Sequence, residues 1–329
     1  MLSIFLLLGL FLFQAPPQES PQEESEDQGF RIGVAVNQVF LSVNARSGQG
    51  GFVRDLPKES FRIYEDGVQQ EILNFYSESV PVHVVLLIDI SGSTRHSQAS
   101  IRRASLQFAK SLTPEDRVAI ITFNDAPRLI QDWTGDLGTI EIALKSIYAK
   151  GVTVLNDALY VTFDDLLKTA EGKKAVILLT DGVDTGSMID YDEAMKLAIE
   201  SEAMVYVVSK LEEYWGMAIA ERFRMQARAQ MIPRELSDEF IIDKKRFLQR
   251  LAHQTGGKVL DAAAFTSLTD TYAQVAEELK NQYYLSYIPS NIIKDGRWRN
   301  VEVRVNQSGV TVSTRPGYYA PLEGESDTP

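Results

Sequence analysis

The spacing of apolar positions changes character along the chain, from period two at either end to a strand and helix rhythm in the middle. In residues 31–43, Ile32, Val34, Val36, Val39, Leu41 and Val43 alternate with polar or small positions, with one shift near Gln38. That pattern predicts a strand carrying an irregularity. Residues 61–65 and 70–75 flank Asp66-Gly67, whose two members tolerate positive φ, and predict a β-hairpin. From there, strands at 82–88, 117–123, 175–180 and 204–209 are interleaved with helical stripes at 97–112, 137–148, 155–167 and 191–201. Ile101, Ala104, Phe108 and Leu112 form one stripe, and Leu155, Leu159, Phe163 and Leu166 another. Strands alternating with helices predict an α/β fold with a doubly wound, mostly parallel sheet flanked by helices.

Residues 211–243, with Trp215, Phe223 and many charges, break this rhythm and read as a helical insertion packing by its apolar stripe. A helix at 244–254 closes on Thr255-Gly256-Gly257, glycines suited to a left-handed cap. A short strand at 258–260 and a helix at 268–279 (Leu268, Tyr272, Val275, Leu279) complete the α/β body. Residues 283–288, 301–305 and 310–314 return to β structure, with turns at Asp295-Gly296 and Ser308-Gly309. The tyrosines of this tail read as sheet packing rather than a sugar platform.

The chemistry gathers where strands are expected to end. Asp89-Ile90-Ser91-Gly92-Ser93 follows the run 82–88 and offers three oxygen-bearing side chains within a short loop. Asp181-Gly182 follows the run 175–180, and Gly151-Val152-Thr153 precedes a helix. In an open parallel sheet ligands bind outside the carboxyl ends of the strands, so all three segments project into one crevice. Oxygen donors of low total charge suit a hard divalent cation such as Mg²⁺, which keeps part of its water shell. Asp125 and Asp184 fall on the same rim as candidate second-layer or rim residues, with loop or capping roles as the plainer explanation for Asp184, and Asp157 is placed to cap the helix after Thr153.

Asp89-x-Ser91-x-Ser93, Thr153 and Thr180-Asp181-Gly182 resemble, in order, the von Willebrand factor A domain with an intact metal-ion-dependent adhesion site, over about residues 81–280. The resemblance implies that Ser91, Ser93 and Thr153 contact the metal directly, that Asp89 and Asp181 act directly or through water, and that a carboxylate from a partner completes the shell. It implies Mg²⁺, with Mn²⁺ or Ca²⁺ as alternatives. Val152 departs from the family, which commonly has a second glycine before the threonine, and valine takes positive φ poorly. Phrases such as Tyr64-Glu65-Asp66-Gly67-Val68-Gln69-Gln70, Tyr284-Leu285-Ser286-Tyr287 and Pro316-Gly317-Tyr318-Tyr319 extend the likeness to bacterial von Willebrand A-related exported proteins of the Acidobacteria type. The implied architecture is a Rossmann-like body carrying a β-sandwich-like module built from both flanks.

Composition sets the frame around this site. The chain has 329 residues, room for more than one domain, and its 45 acids against 33 bases give a net charge of -12 that disfavours nucleic acid. There is no cysteine, which excludes disulfides and thiolate metal sites. Residues 1–15 read as a signal peptide, an apolar stretch followed by a small-residue cleavage zone; the usual basic start is missing, which an uncleaved anchor or a mis-assigned start would explain. The expected order is then a disordered linker at 16–30, an N-terminal β segment at 31–80, the α/β domain at 81–280, a C-terminal β segment at 281–320 packing with 31–80, and a disordered tail at 321–329. Such a protein is exported to the periplasm or beyond the cell, with no membrane insertion once the signal is removed.

Catalysis finds little support. His83, His96 and His253 are scattered, and neither a G-x-S-x-G elbow nor a phosphate-binding loop is present. A metal-assisted phosphoesterase is the best enzymatic rival, yet Ser91 stands where such enzymes tend to carry a second aspartate. The expectation is a non-catalytic binding protein that holds an acidic group of a protein partner through its metal. The remaining alternative is a scaffold in an envelope assembly with a stabilising metal.

Overall fold

Strands buried on both faces read as unbroken apolar runs, and four such runs form the centre of the molecule. A computed structural model describes residues 38–77, 80–148, 151–228, 231, 233, 237–261 and 268–323; for residues 93, 95, 96, 211–215 and 227 it describes the backbone alone. The expected signal, linker and first strand residues up to 37 lie outside the described residues.

The central sheet contains β5 (Val82–Asp89), β6 (Arg117–Phe123), β7 (Pro127–Thr134), β8 (Lys173–Thr180), β9 (Met204–Ser209) and β10 (Val259–Asp261). Their order is β10-β9-β8-β5-β6-β7, parallel throughout except for β7, which returns antiparallel along β6. Alternate residues of β5 enter different cores. Val84, Leu86 and Ile88 pack with α1 (Gln98–Ser111), α2 (Leu137–Lys145) and α7 (Leu268–Lys280), while Val85 and Leu87 pack with α3 (Leu155–Tyr160), α4 (Tyr191–Glu200) and α6 (Asp238–Gln254). The doubly wound α/β body is therefore present as expected.

The flanks form two antiparallel sheets that share one apolar cluster. One has the order β13-β1-β11-β4 and the other β14-β12-β2-β3, from β1 (Val39–Ser47), β2 (Phe61–Glu65), β3 (Val68–Gln70), β4 (Ile72–Tyr76), β11 (Gln282–Tyr287), β12 (Trp298–Val305), β13 (Val310–Ser313) and β14 (Gly317–Tyr319). Leu41, Val43, Phe61, Ile63, Tyr283, Leu285 and Val303 lie in their common core. Asp66 and Gly67 take φ of 46° and 82°, the left-handed pair of a tight hairpin turn between β2 and β3.

Several elements differ from expectation for physical reasons. The second arm of the hairpin splits at Glu71, and β4 leaves to pair with β11 in the other sheet. Strand β7 escapes the sequence pattern because it is an edge strand whose residues are exposed or half-buried, so alternation is weak. Helix α6 begins at Asp238 rather than 244, since Ser237 Oγ caps it by accepting the Phe240 N–H at 3.2 Å. The remainder of the supposed insertion contains α5 (Leu211–Ala227), a helix running directly from the end of β9. Helix α3 is short and continues through a π-helical turn at Val161–Leu166. Leu322 bridges Asp295, so pairing runs into the tail expected from 321.

Body and flanks meet at the amino-terminal edge of the central sheet. Glu278 of α7, 3% exposed, pairs with both Arg46 of β1 and Lys258 before β10. Lys173 Nζ, at the start of β8, donates to the Leu279 carbonyl at 2.5 Å, and Gln282 Nε2 donates to Tyr206 Oη at 2.7 Å. Arg315 reaches Glu202, just before β9, at 2.7 Å. The carboxyl-terminal edge, on the opposite side, is left to the loops.

Candidate metal centre

Register brings the two acids to one edge: Ile88 pairs with Leu179 in the neighbouring parallel strand, which sets Asp89 level with Thr180 and Asp181 one residue beyond. Asp89 is fully buried and Asp181 nearly so. Both make the same turn, Asp89 Oδ1 accepting the Ser91 N–H at 2.9 Å and Asp181 Oδ1 accepting the Val183 N–H at 3.1 Å. Thr180 stands between them, donating its hydroxyl to Asp89 Oδ2 at 3.1 Å while accepting the Gly182 N–H at 3.0 Å. Burial, and then the charge of Asp181, push the Asp89 carboxyl up to about 7.

The hydroxyl residues are delivered by loops stitched to one another. Ser91 and Thr153 are buried, at 3% and 6% exposure. The Gly92 N–H donates to the Gly151 carbonyl at 3.2 Å, joining the loop after β5 to the loop before α3. Gly151 takes the left-handed conformation, φ 80°, and a Cβ there would stand 2.1 Å from Asp125 Oδ1. The strained position thus falls on Gly151 and not on Val152, which answers the family departure in steric terms. Ser93 lies in the 3₁₀ segment Gly92–Ser97, and its side chain is outside the described residues.

Asp125 and Asp184 both act on loop backbone. Asp125 Oδ1 accepts the Val152 N–H at 2.8 Å, and the neighbouring Asn124 carbonyl accepts from Val154 N–H at 3.1 Å, so the β6–β7 turn holds the chain on both sides of Thr153. Asp184 accepts the Asn156 N–H at the start of α3 at 2.9 Å and the Gly186 and Ser187 N–H groups at 3.1 Å. Asp157 does not cap its own helix. Its Oδ1 accepts from Met188 and Ile189 N–H, each at 2.9 Å, and ties the loop after β8 to α3.

Two supporting residues carried no signal in the sequence pattern. Thr185 accepts the Thr153 N–H on its hydroxyl at 3.2 Å and returns its own N–H to the Thr153 carbonyl at 3.0 Å. Lys210, buried at the end of β9, donates its N–H to the Thr180 carbonyl at 2.9 Å and its ammonium to Ser97 Oγ at 2.6 Å. A lone threonine or lysine in a loop has no periodicity, and only the closed fold shows what it holds.

The donor set fits a hard divalent cation. Asp89, Asp181, Ser91 and Thr153 are oxygen donors drawn from three linked segments, and a buried acid pair calls for a compensating positive charge. Among the described residues no three His, Cys, Asp or Glu come together as a metal-holding group. His83 lies at the far end of β5, edge-on to Trp133 at 5.0 Å, and takes no part. Among the described residues no helix is long and apolar enough to cross a membrane.

Comparison with known proteins places the body of this chain. The family model of the von Willebrand factor type A domain matches residues 83–224. No curated protein matches the chain. Among solved structures, similarity extends to a von Willebrand factor type A protein from Catenulispora acidiphila at 14% identity, covering 89% of this chain and 75% of that one with a TM-score of 0.46. The conserved hypothetical protein BatB from Bacteroides thetaiotaomicron is 17% identical over 60% of this chain and 97% of that one, TM-score 0.44. The vWF domain of the type V pili tip protein Mfa5 from Porphyromonas gingivalis is 24% identical over 32% of this chain, TM-score 0.31; the match spans only 40% of that chain. Residues 83–224 thus match the model of the von Willebrand factor type A domain, within a fold that adds two antiparallel sheets from the segments before and after them.

Proposed function

We propose that this protein is an exported, non-catalytic binding protein whose intact adhesion-type metal site holds an acidic side chain of a protein partner. The observation that supports it most is the buried pair Asp89 and Asp181 on adjacent strand tips, with Ser91 and Thr153 on loops bonded to the same edge. Asp89, Ser91, Ser93, Thr153 and Asp181 would hold Mg²⁺, or Mn²⁺ or Ca²⁺ in its place. The bound ion supplies an electrophilic position for one outside oxygen ligand. Thr180 keeps Asp89 turned inward, and Asp125 and Thr185 fix the backbone on which Thr153 sits.

The partner's carboxylate would fill a coordination position that two acids and neutral hydroxyls leave open. Ser91 stands two residues after Asp89, where a metal-assisted phosphoesterase tends to carry a second aspartate, which favours grip over turnover. Export follows from the apolar residues 1–13 and the polar stretch behind them, in keeping with the bacterial von Willebrand A-related exported type.

The test is retention of partners from an envelope extract on immobilised full-length chain, with Mg²⁺ or with EDTA, for the native protein and Asp89→Ala. The reading expects partners only on the native chain with Mg²⁺. The same partners under all four conditions would contradict it.

A further inference from the structure

Three isoleucines stand in solvent along one connection of the flanking β module. Between β11 and β12, Ile288 is 42% exposed, Ile292 84% and Ile293 62%. Single exposed apolar residues are ordinary, but three within residues 288–293 concentrate apolar surface on one loop, as contact surfaces do. The backbone that carries them is pinned on both sides of Ile292. The Ser290 N–H donates to Gln70 Oε1 at 2.9 Å and Gln70 Nε2 donates back to Ser290 Oγ at 3.0 Å, while Arg299 Nη2 donates to the Ile293 carbonyl at 3.2 Å. Pro289 is buried, so the loop has a packed foot beneath its exposed side chains.

Sheet register shows what else leaves at this end. Val39 pairs antiparallel with Tyr287, so the chain before Val39 and the chain after Tyr287 depart from the sheet in the same direction, and Gln38 bonds Ser286 Oγ beside them. Strand β11 follows α7 directly, so this is the end away from the joint with the body. The residues preceding β1 include the apolar stretch 1–13, which is thereby tethered to the end of the sheet where the isoleucine loop begins.

We infer that the loop Ile288–Ile293 is a bilayer contact: its isoleucines enter the interfacial region of a phospholipid membrane and rest the β module on it. This goes beyond the metal-dependent reading and does not require it. Thirteen apolar residues fall short of the roughly 20 that span a bilayer, and attachment through one short apolar element is marginal until a second contact joins it. Charge around the loop does not oppose lipid. Residues 288–299 hold Lys294, Arg297 and Arg299 against Asp295, and exposed Glu71 beside Gln70 brings this near balance, in a chain whose net charge is -12. Apolar side chains therefore carry the contact, on neutral and anionic lipid alike.

The chain has no cysteine, so Ile292→Cys in the full chain takes a single spin label. Ile142→Cys on α2, 72% exposed, is the control on the body. Vesicles of phosphatidylcholine, alone or with phosphatidylglycerol, are added, flotation confirms that the chain is bound, and paramagnetic resonance reads access of a water-soluble relaxation agent to each label. Expected on both lipids is a fall in access of about fivefold or more at 292 and none at 142. In the labelled chain that also carries Ile288→Ser and Ile293→Ser, access at 292 should return to within about twofold of its lipid-free value, although residues 1–13 are intact. No flotation, unchanged access at 292 on bound chain, or equal shielding at both sites overturns the contact, as does shielding that survives the two serines. Shielding without vesicles that grows with protein concentration would assign the loop to a second copy, and shielding without vesicles at every concentration to the chain's own apolar stretch; either overturns the bilayer.

Discussion

Thr180 lends its hydroxyl to Asp89 across the boundary between two parallel strands, while Asp181, the next residue, turns its own carboxylate onto the backbone of Val183. Two acids are thereby buried together on one edge, a placement that costs stability unless a cation or a proton joins them.

Removing one acid should relieve that cost in the metal-free chain. In EDTA at neutral pH, Asp181→Asn is expected to raise the melting temperature by about 3 °C and to abolish any further rise on adding Mg²⁺. A thermal scan of both proteins with and without Mg²⁺ checks this. A lower melting temperature in EDTA would mean that the pair is compensated within the protein itself.

The pH dependence follows from Asp89. Its carboxyl is pushed up to about 7 from an ordinary 3.8, so the folded chain holds this proton more tightly than the unfolded chain does. The stabilising contribution is complete below about pH 4 and is lost as pH rises towards 7 in the metal-free protein. Metal competes for the same carboxylate, so its affinity should climb over that window with release of a proton. Calorimetric Mg²⁺ titrations at about pH 6 in buffers of different ionisation enthalpy should give buffer-dependent heats, and those at about pH 8 should not. Buffer-independent heats at both would oppose this assignment.

The loop before α3 has its own sensitive point. Gly151→Ala places a Cβ 2.1 Å from Asp125 Oδ1 at a φ of 80°, so the loop must move or the Asp125 bond must break. The expected loss is about 2 kcal/mol of stability together with weaker Mg²⁺ binding, read by urea denaturation and calorimetry. A variant with native stability and native affinity would show that the loop has another path.

At the other edge, Glu278 links α7 to Arg46 and Lys258 with little exposure of its own. Glu278→Ala removes the buried partner of two partly exposed cations and should cost about 1–3 kcal/mol in denaturant unfolding. Mg²⁺ binding by the folded variant should remain, because this joint lies at the amino-terminal edge of the sheet. Loss of metal affinity without loss of stability would tie the two edges together.

Much of this architecture was legible in the sequence because burial leaves a signature. The runs ending at Asp89 and Thr180 announce strands covered on both faces, and an acid directly after such a run must sit at the carboxyl edge. What stayed hidden depends on pairing across the fold. Nothing local marks the break at Glu71 that sends β4 to another sheet, or the antiparallel β7 whose side chains are exposed or half-buried. Asp157 looked like a cap by position, yet the loop after β8 offers it two N–H groups, and those contacts decide its role. Thr185 is legible only once Thr153 is seen against it.

The most direct test is a calorimetric titration of Mg²⁺ into the metal-free full chain and into Asp89→Ala. The account predicts saturable binding at a single site in the native protein and none in the variant. Identical isotherms, or no binding to the native chain, would contradict the metal centre on which the proposed function rests.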